Sequence, residues 1–100
     1  MAAYFFADVL EVTDGPKLEV YRAGVTATVE KYGGRYLIVG GPCDGAEGNW
    51  KATFPVLIEF PSMAQARRWY DSEDYRELKA LRLAAARSNA VFIEGVVAQS

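Results

Sequence analysis

Two acidic residues and two arginines are the side chains of this sequence best suited to acid–base chemistry. Asp8 lies in the run YFFADVLEV and Glu59 in FPVLIEF, each among apolar and aromatic residues. Two carboxylates in a shielded space can raise each other's pKa, and one of them can then act as a base. Arg35 and Arg82 could stabilise developing negative charge or anchor a ligand carboxylate. The structural alternative is an internal ion pair of either carboxylate with Arg35 or Arg82, or an Arg82 that reaches solvent from a helix edge.

Aromatic side chains could line a pocket for a flat, apolar molecule. Tyr21, Tyr32 and Trp69 recur at helical spacing, which is typical of core residues. Trp50 stands in a glycine-rich stretch, where it would cover either a ligand or a partner subunit. The candidate ligand-binding residues are Tyr4, Phe6, Arg35, Trp50, Arg82 and Phe92.

The composition excludes several kinds of site. Histidine is absent, which removes Ser-His-Asp and Cys-His catalysis and imidazole metal ligands. The single cysteine, Cys43, cannot form an internal disulfide or a cysteine-rich zinc site, and we expect it to be inert. The glycines of residues 40–52 match no phosphate-binding motif. Asp71, Glu73 and Asp74 are typical of helix starts, so we expect no metal and no cofactor.

Length and charge limit the partners and the cellular location. One hundred residues, 51% hydrophobic and 24% charged, are typical of one globular domain over residues 1–100. A net charge of −2 without a basic stripe argues against nucleic acid. Charge-free stretches reach only about eight residues against the roughly twenty of a membrane span. The start MAAYFFA lacks the basic lead of a signal peptide, and a cytoplasmic location is expected.

Six elements must position these side chains. Runs rich in aromatic and branched residues predict strands at residues 4–12, 35–39, 54–60 and 90–97. Apolar stripes and capping residues predict a helix at 16–32 and a second one in two segments, capped by Ser62 and Ser72 and ending near 87. This order predicts an α+β, ferredoxin-like βαββαβ fold, with a four-stranded antiparallel sheet and both helices on one face.

Alternation along the strands separates two faces of this sheet. One set carries no charge and is expected beneath the helices: Phe5, Ala7, Val9, Tyr36, Ile38, Val56, Ile58, Phe60, Val91 and Ile93. The other set mixes charged with apolar side chains: Tyr4, Phe6, Asp8, Leu10, Arg35, Leu37, Val39, Leu57, Glu59, Phe92, Glu94 and Val96. Leaving that many apolar groups in water forgoes on the order of 10 kcal/mol. The pattern therefore predicts a homodimer whose sheets face each other around a partly charged space; the alternative is a monomer with an apolar open sheet.

Several segments together resemble the domain of unknown function 1330 (DUF1330) family. They are KYGGRYLIVGG (31–41), AEGNW (46–50), VLIEFPSMAQARRWYDSEDY (56–75) and LKALRLAAA (78–86). The resemblance runs from about Tyr4 to Gly95 and implies a ferredoxin-like subunit of the dimeric α+β barrel superfamily. Arg82 matches the arginine of the family's Leu-Arg motif. Wider relatives of that barrel include cofactor-free oxygenases, small isomerases and haem enzymes, and a chain without histidine does not suit the last group.

Three functions follow from these features. The first is a homodimer that binds a small apolar or aromatic organic molecule in its interior. The second is a cofactor-free enzyme, oxygenase- or isomerase-like, with Glu59 or Asp8 as base and Arg35 or Arg82 stabilising negative charge. The third is a structural or interaction module with a filled interior and closed ion pairs.

Overall fold

The computed structural model describes residues 1–96, which form four strands and three helices. The strands are β1 (Ala3–Val12), β2 (Arg35–Val39), β3 (Pro55–Phe60) and β4 (Ala86–Glu94). The helices are α1 (Gly15–Lys31), α2 (Met63–Tyr70) and α3 (Glu73–Ala85). The strands pair antiparallel in the order β2-β3-β1-β4, which confirms the predicted ferredoxin-like arrangement. No helix in this part of the chain has the length and apolar character to cross a membrane.

The core lies between the helices and one face of the sheet. Trp69 is its centre, fully buried, with its ring 4.2 Å from that of Tyr75 and 5.3 Å from that of Phe60. Its indole N–H donates to Thr28 Oγ1 at 3.0 Å, so the one polar atom of the ring is satisfied. Phe5 of β1 packs edge-on against the same ring at 5.2 Å. The helical spacing of Trp69 thus indicated a core residue correctly.

The expected face assignment of β4 is wrong. Phe92 pairs with Phe5 of β1 and packs on the core, with ring centroids 5.4 Å from Phe5 and 5.5 Å from Tyr70. The Arg67 guanidinium covers its ring at 4.3 Å. Val91 and Ile93 consequently point to the uncovered side, each 49% exposed. Glu94 made the Phe92 set look like the solvent face, but it ends an edge strand, where a charge reaches water easily.

A β-bulge also exchanges the faces at the end of β2. Tyr36 pairs with Ile58, yet the next regular pair is Ile38 with Leu57, so one extra residue is inserted between them. Ile38 therefore shares a face with Leu57, on the uncovered side, where the alternation from Tyr36 placed it beneath the helices. Val39 correspondingly pairs with Val56, which packs on the core.

Helix α3 passes into β4 without a loop. The helix ends at Ala85 and the strand begins at Ala86, four residues before the expected start at residue 90. The carbonyl of Ala85 accepts from Thr13 N–H at 2.7 Å and from Asp14 N–H at 3.0 Å. One oxygen thus joins the end of α3 to the turn between β1 and α1. Of the expected strand 90–97, residue 97 lies outside the described residues.

Candidate functional site

The side of the sheet without helices is called the open face here. Its members, taken from the strand register, are Tyr4, Phe6, Asp8, Arg35, Ile38, Leu57, Glu59, Asn89, Val91 and Ile93. The loop of residues 40–54, between β2 and β3, lies at one end of this face and carries Trp50, which is 70% exposed. The open face holds every predicted site residue except Arg82, Trp50 and Phe92.

Asp8 fastens this loop to the sheet. It pairs with Pro55, the first residue of β3, which has no N–H to offer a neighbouring strand. The two preceding amides, of Thr53 and Phe54, donate instead to Asp8 Oδ1 at 2.9 and 2.8 Å. These two hydrogen bonds offset the cost of burying the Asp8 side chain, which is only 5% exposed.

The second carboxylate oxygen of Asp8 has a different environment. Among residues 1–96, no hydrogen bond reaches Oδ2, and Ser88 Oγ is the only fully enclosed side-chain polar atom without a partner. Oδ2 is thus unbonded and not fully enclosed, and Asp8 lines a pocket of about 240 Å³ between the open face and the loop. The pocket is lined by Phe6, Asp8, Trp50, Asn89, Ala90 and Val91. Aromatic and aliphatic walls around one anionic oxygen are suited to a small organic ligand.

Glu59 is engaged in a polar network at the other end of the open face. Its Oε1 accepts from Arg35 Nε at 2.7 Å and its Oε2 accepts from the Tyr4 hydroxyl at 3.2 Å. The hydrogen bond from Arg35, helped by the guanidinium charge and by Tyr4, lowers the pKa of Glu59 against the opposing effect of partial burial. The carboxylate is held ionised, so the structural alternative describes Glu59, Arg35 and Tyr4 better than an acid–base pair does.

Asp8 and Glu59 do not form the predicted carboxylate pair. Glu59 lies opposite Tyr4, which is four residues before Asp8 on the same strand. At a rise of about 3.3 Å per residue, the two positions are roughly 13 Å apart. Their charges act independently, and Asp8 is the one carboxylate of the two with an oxygen free for a ligand.

Arg82 lies on the opposite side of the sheet from both carboxylates. It is 6% exposed, and its Nε donates to the Tyr75 hydroxyl at 3.2 Å. That hydroxyl lies 3.0 Å from the hydroxyl of Tyr21, so the three side chains form a polar chain between α1 and α3. Burial is the largest cause that raises the pKa of Tyr21. The ion pair of Arg82 with Glu59, one of the structural alternatives, does not form, and Arg82 contacts neither end of the open face.

A second, wider depression on the helix layer offers less. It has about 500 Å³ and is lined by Tyr32, Ala64, Arg67, Arg68, Asp71 and Ser72. Its two arginines already have partners, since Arg67 covers Phe92 and Arg68 donates to Gln65 at 3.2 Å. No residue that lines it is fully buried. The pocket beside Asp8 is the more enclosed of the two and has an unbonded polar atom, and we take it as the candidate site.

Sequence reasoning missed the β4 side of this pocket. Asn89 lies opposite Asp8 and Val91 lies opposite Phe6 in the register of β1 with β4. The residue types gave no signal, because a lone asparagine and a valine occur in many strands. The pairing of Phe92 with Phe5, had it been known, would have placed Asn89 and Val91 on the open face beside Asp8 and Phe6.

We expect the two Asp8 variants to differ in stability. Asp8→Ala leaves the amides of Thr53 and Phe54 without an acceptor and should lower the free energy of unfolding by roughly 2–4 kcal/mol. Asp8→Asn keeps a carbonyl oxygen at the same position and should cost less than about 1.5 kcal/mol. Urea unfolding measures both values. Equal losses in the two variants would show that the amide bonds are not what Asp8 contributes.

Glu59 should titrate below the usual range of a glutamate because of Arg35. The ion pair contributes stability above the unfolded-state pKa of Glu59, and this contribution disappears as the pH falls through the lower folded-state value. Following the Glu59 carboxyl carbon by NMR, Arg35→Gln should raise the midpoint, whereas Arg87→Gln, which removes the partner of Glu11, should leave it unchanged. A midpoint indifferent to Arg35→Gln would contradict the assignment.

Solved structures with the same fold are known at low sequence identity. A protein of unknown function from Rhodopseudomonas palustris superposes with a TM-score of 0.73 at 16% identity, covering 97% of this chain and 84% of the other. A dimeric ferredoxin-like protein of unknown function from Jannaschia sp. gives 0.69 at 13% identity, covering 95% and 100%. SnoaB, a cofactor-independent oxygenase from Streptomyces nogalater, gives 0.68 at 11% identity, covering 97% and 95%. These likenesses establish the fold alone.

The sequence itself identifies the family. No curated protein matches the chain at the level of sequence. The pattern of the family described as Domain of unknown function (DUF1330) matches residues 2–96, nearly the full length, and confirms the resemblance noted from the sequence. The chain belongs to the DUF1330 family.

Proposed function

We propose that this protein is a homodimer that binds a small aromatic or apolar organic molecule in the pocket beside Asp8. The observation that carries the proposal is the unbonded Oδ2 of a carboxylate that is 5% exposed and opens onto walls that include Phe6 and Trp50. A carboxylate needed only to hold the loop would leave no reason for an aromatic pocket around its second oxygen. One domain per chain and a cytoplasmic location complete the proposal.

A second copy of the chain is the proposed cover of the open face. Val91 and Ile93 are each 49% exposed there, and Ile38 is 38% exposed. The charged groups at the rim, Arg35 and Glu59, already neutralise each other within one chain. Such a face meets its own copy about a two-fold axis with apolar groups against apolar groups. Proteins of this fold from Jannaschia sp. and Bacteroides fragilis are described as dimeric, which supports the same choice.

A cofactor-free enzyme is the second candidate, but the geometry does not support the catalytic roles predicted for Glu59 and Arg82. Glu59 is held ionised by Arg35, and Arg82 lies on the far side of the sheet. The base would have to be Asp8 Oδ2, which can accept a proton from a ligand seated in the pocket. The fold it shares with a cofactor-independent oxygenase keeps this candidate open. A structural module, the third candidate, agrees with Glu59, whose two oxygens are both hydrogen-bonded. It does not explain Asp8, whose Oδ2 has no hydrogen bond.

The dimer should depend on the apolar centre of the open face. We expect sedimentation velocity at micromolar concentration to give a particle of twice 11.0 kDa. Replacing both Val91 and Ile93 by lysine should convert it to monomer, because the interface would then bury like charges. Leu83→Lys is the matched control, since Leu83 is 62% exposed on α3 in the helix layer. A wild-type particle of 11.0 kDa would contradict the proposal.

Ligand binding should report on Trp50. With two tryptophans in the chain, the indole N–H signals of Trp50 and Trp69 can be assigned by Trp50→Phe. Titration with 2-phenylethanol, a small neutral aromatic probe, should shift the Trp50 signal and leave that of the buried Trp69 nearly unmoved. Trp50→Ala should weaken binding of the same probe about fivefold or more, measured in both proteins from the backbone amide signals of Asn89 and Val91, because one wall of the pocket is removed.

Two results would contradict the ligand proposal. The first is a Trp50 signal unmoved at millimolar probe. The second is a set of shifted backbone amides that surrounds the depression at Arg67 and Arg68 instead. Native mass spectrometry of the protein as purified provides an independent readout, since a molecule retained from the cell would add its mass to the dimer.

A further inference from the structure

The charge of the pocket specifies its ligand more closely, if the proposed function holds. Of the residues that line it, Asp8 alone is ionisable. None of the ion pairs in residues 1–96 includes Asp8, and the two basic side chains of the strands, Arg35 and Arg87, are already paired with Glu59 and Glu11. The described part of the pocket therefore carries one negative charge without a counter-charge.

The unbonded oxygen of Asp8, Oδ2, also determines which kind of ligand group can bind it. An ionised aspartate only accepts hydrogen bonds, so a group that binds Oδ2 must be a donor. Because Asp8 is 5% exposed, water compensates its charge poorly, and a positive charge at this point gains more than it would at the surface. A donor that is also a cation satisfies both requirements.

The walls favour the same class of ligand. Trp50 and Phe6 line the same pocket as the Asp8 carboxylate, and the faces of aromatic rings attract cations, tryptophan most strongly. Val91 and Ala90 offer apolar contact to the rest of a small molecule. We infer that the ligand is an organic ammonium: a primary or secondary amine on a small aromatic or aliphatic body, with its N–H bonded to Asp8 Oδ2.

Three probes of matched size test this inference. They are 2-phenylethylamine, which is a cation at neutral pH, 2-phenylethanol, which is neutral, and 3-phenylpropionate, which is an anion. Dissociation constants for the intact dimer are measured by NMR from the Trp50 indole signal. We expect the amine to bind about tenfold or more tightly than the alcohol, since charge-assisted hydrogen bonds are roughly twice as strong as neutral ones. The anion should bind most weakly.

Two variants assign the preference to Asp8. Asp8→Asn retains the acceptor for Thr53 and Phe54 but removes the charge, and it should bind the amine and the alcohol about equally. Glu59→Gln is the matched control, because it removes a carboxylate from the same face about 13 Å away and should keep the amine preference. The amide signals of Thr53 and Phe54 verify that the loop is still attached in each variant.

The outcomes separate this inference from the proposed function. If the alcohol and the amine bind wild type equally well, the pocket binds small aromatics and the ammonium inference is wrong. An amine preference that survives Asp8→Asn also overturns it, since another group would then supply the charge. If no probe moves the Trp50 signal, the proposed function fails and the inference fails with it.

Discussion

The bond between one carboxylate oxygen and two consecutive backbone amides organises the part of this molecule that contains the candidate site. Strand β3 begins at a proline that cannot donate, so the chain just before it needs an acceptor from the neighbouring strand. Asp8 provides that acceptor for Thr53 and Phe54 and thereby fixes the end of the loop that carries Trp50. Both amides bind the same oxygen, so the other oxygen of Asp8, a residue that lines the pocket, keeps no hydrogen bond among the described residues. The contact that holds the loop and the proposed ligand contact thus fall on the two oxygens of one side chain.

The two carboxylates at the two ends of the open face differ in how many of their oxygens are hydrogen-bonded. Around Glu59, a guanidinium and a phenol satisfy both carboxylate oxygens, and nothing is left for a ligand. Around Asp8, one oxygen is satisfied and the other is not. Between the two ends lie apolar side chains, and the corrected position of Val91 and Ile93 makes this region more apolar than the sequence predicted. The error in β4 therefore strengthens the argument for a second copy.

Short sequence patterns predicted the features of the fold that depend on neighbouring residues in the chain. Cap residues such as Ser62 and Ser72, the helical spacing of Trp69 and the order of elements are all readable from short stretches of sequence, and the structure has them. The faces of β4 and the end of β2 depend instead on which residue of the next strand each one meets. A single inserted residue or a pairing such as Phe5 with Phe92 reverses a whole face, and no local pattern reveals it.

The candidate site was predictable in part for the same reason. Asp8, Phe6 and Trp50 were selected by residue type and do come together, while Phe92 and Arg82 were selected on equal grounds and lie in the helix-covered layer. Asp8 and Glu59 differ in the hydrogen-bond partners that each one meets across the sheet. These partners are brought together by strand pairing between positions 24 to 55 residues apart in the sequence.

The loop-free passage from α3 into β4 limits how this chain can vary in length. Since the Ala85 carbonyl also receives the amides of Thr13 and Asp14, one added residue at that point would shift the helix, the strand or the β1–α1 turn. The 40–54 stretch has no such restriction over most of its course. Residues inserted near position 45 should therefore leave the sheet intact, whereas residues inserted between 85 and 86 would displace α3 or β4 from the turn that this oxygen contacts.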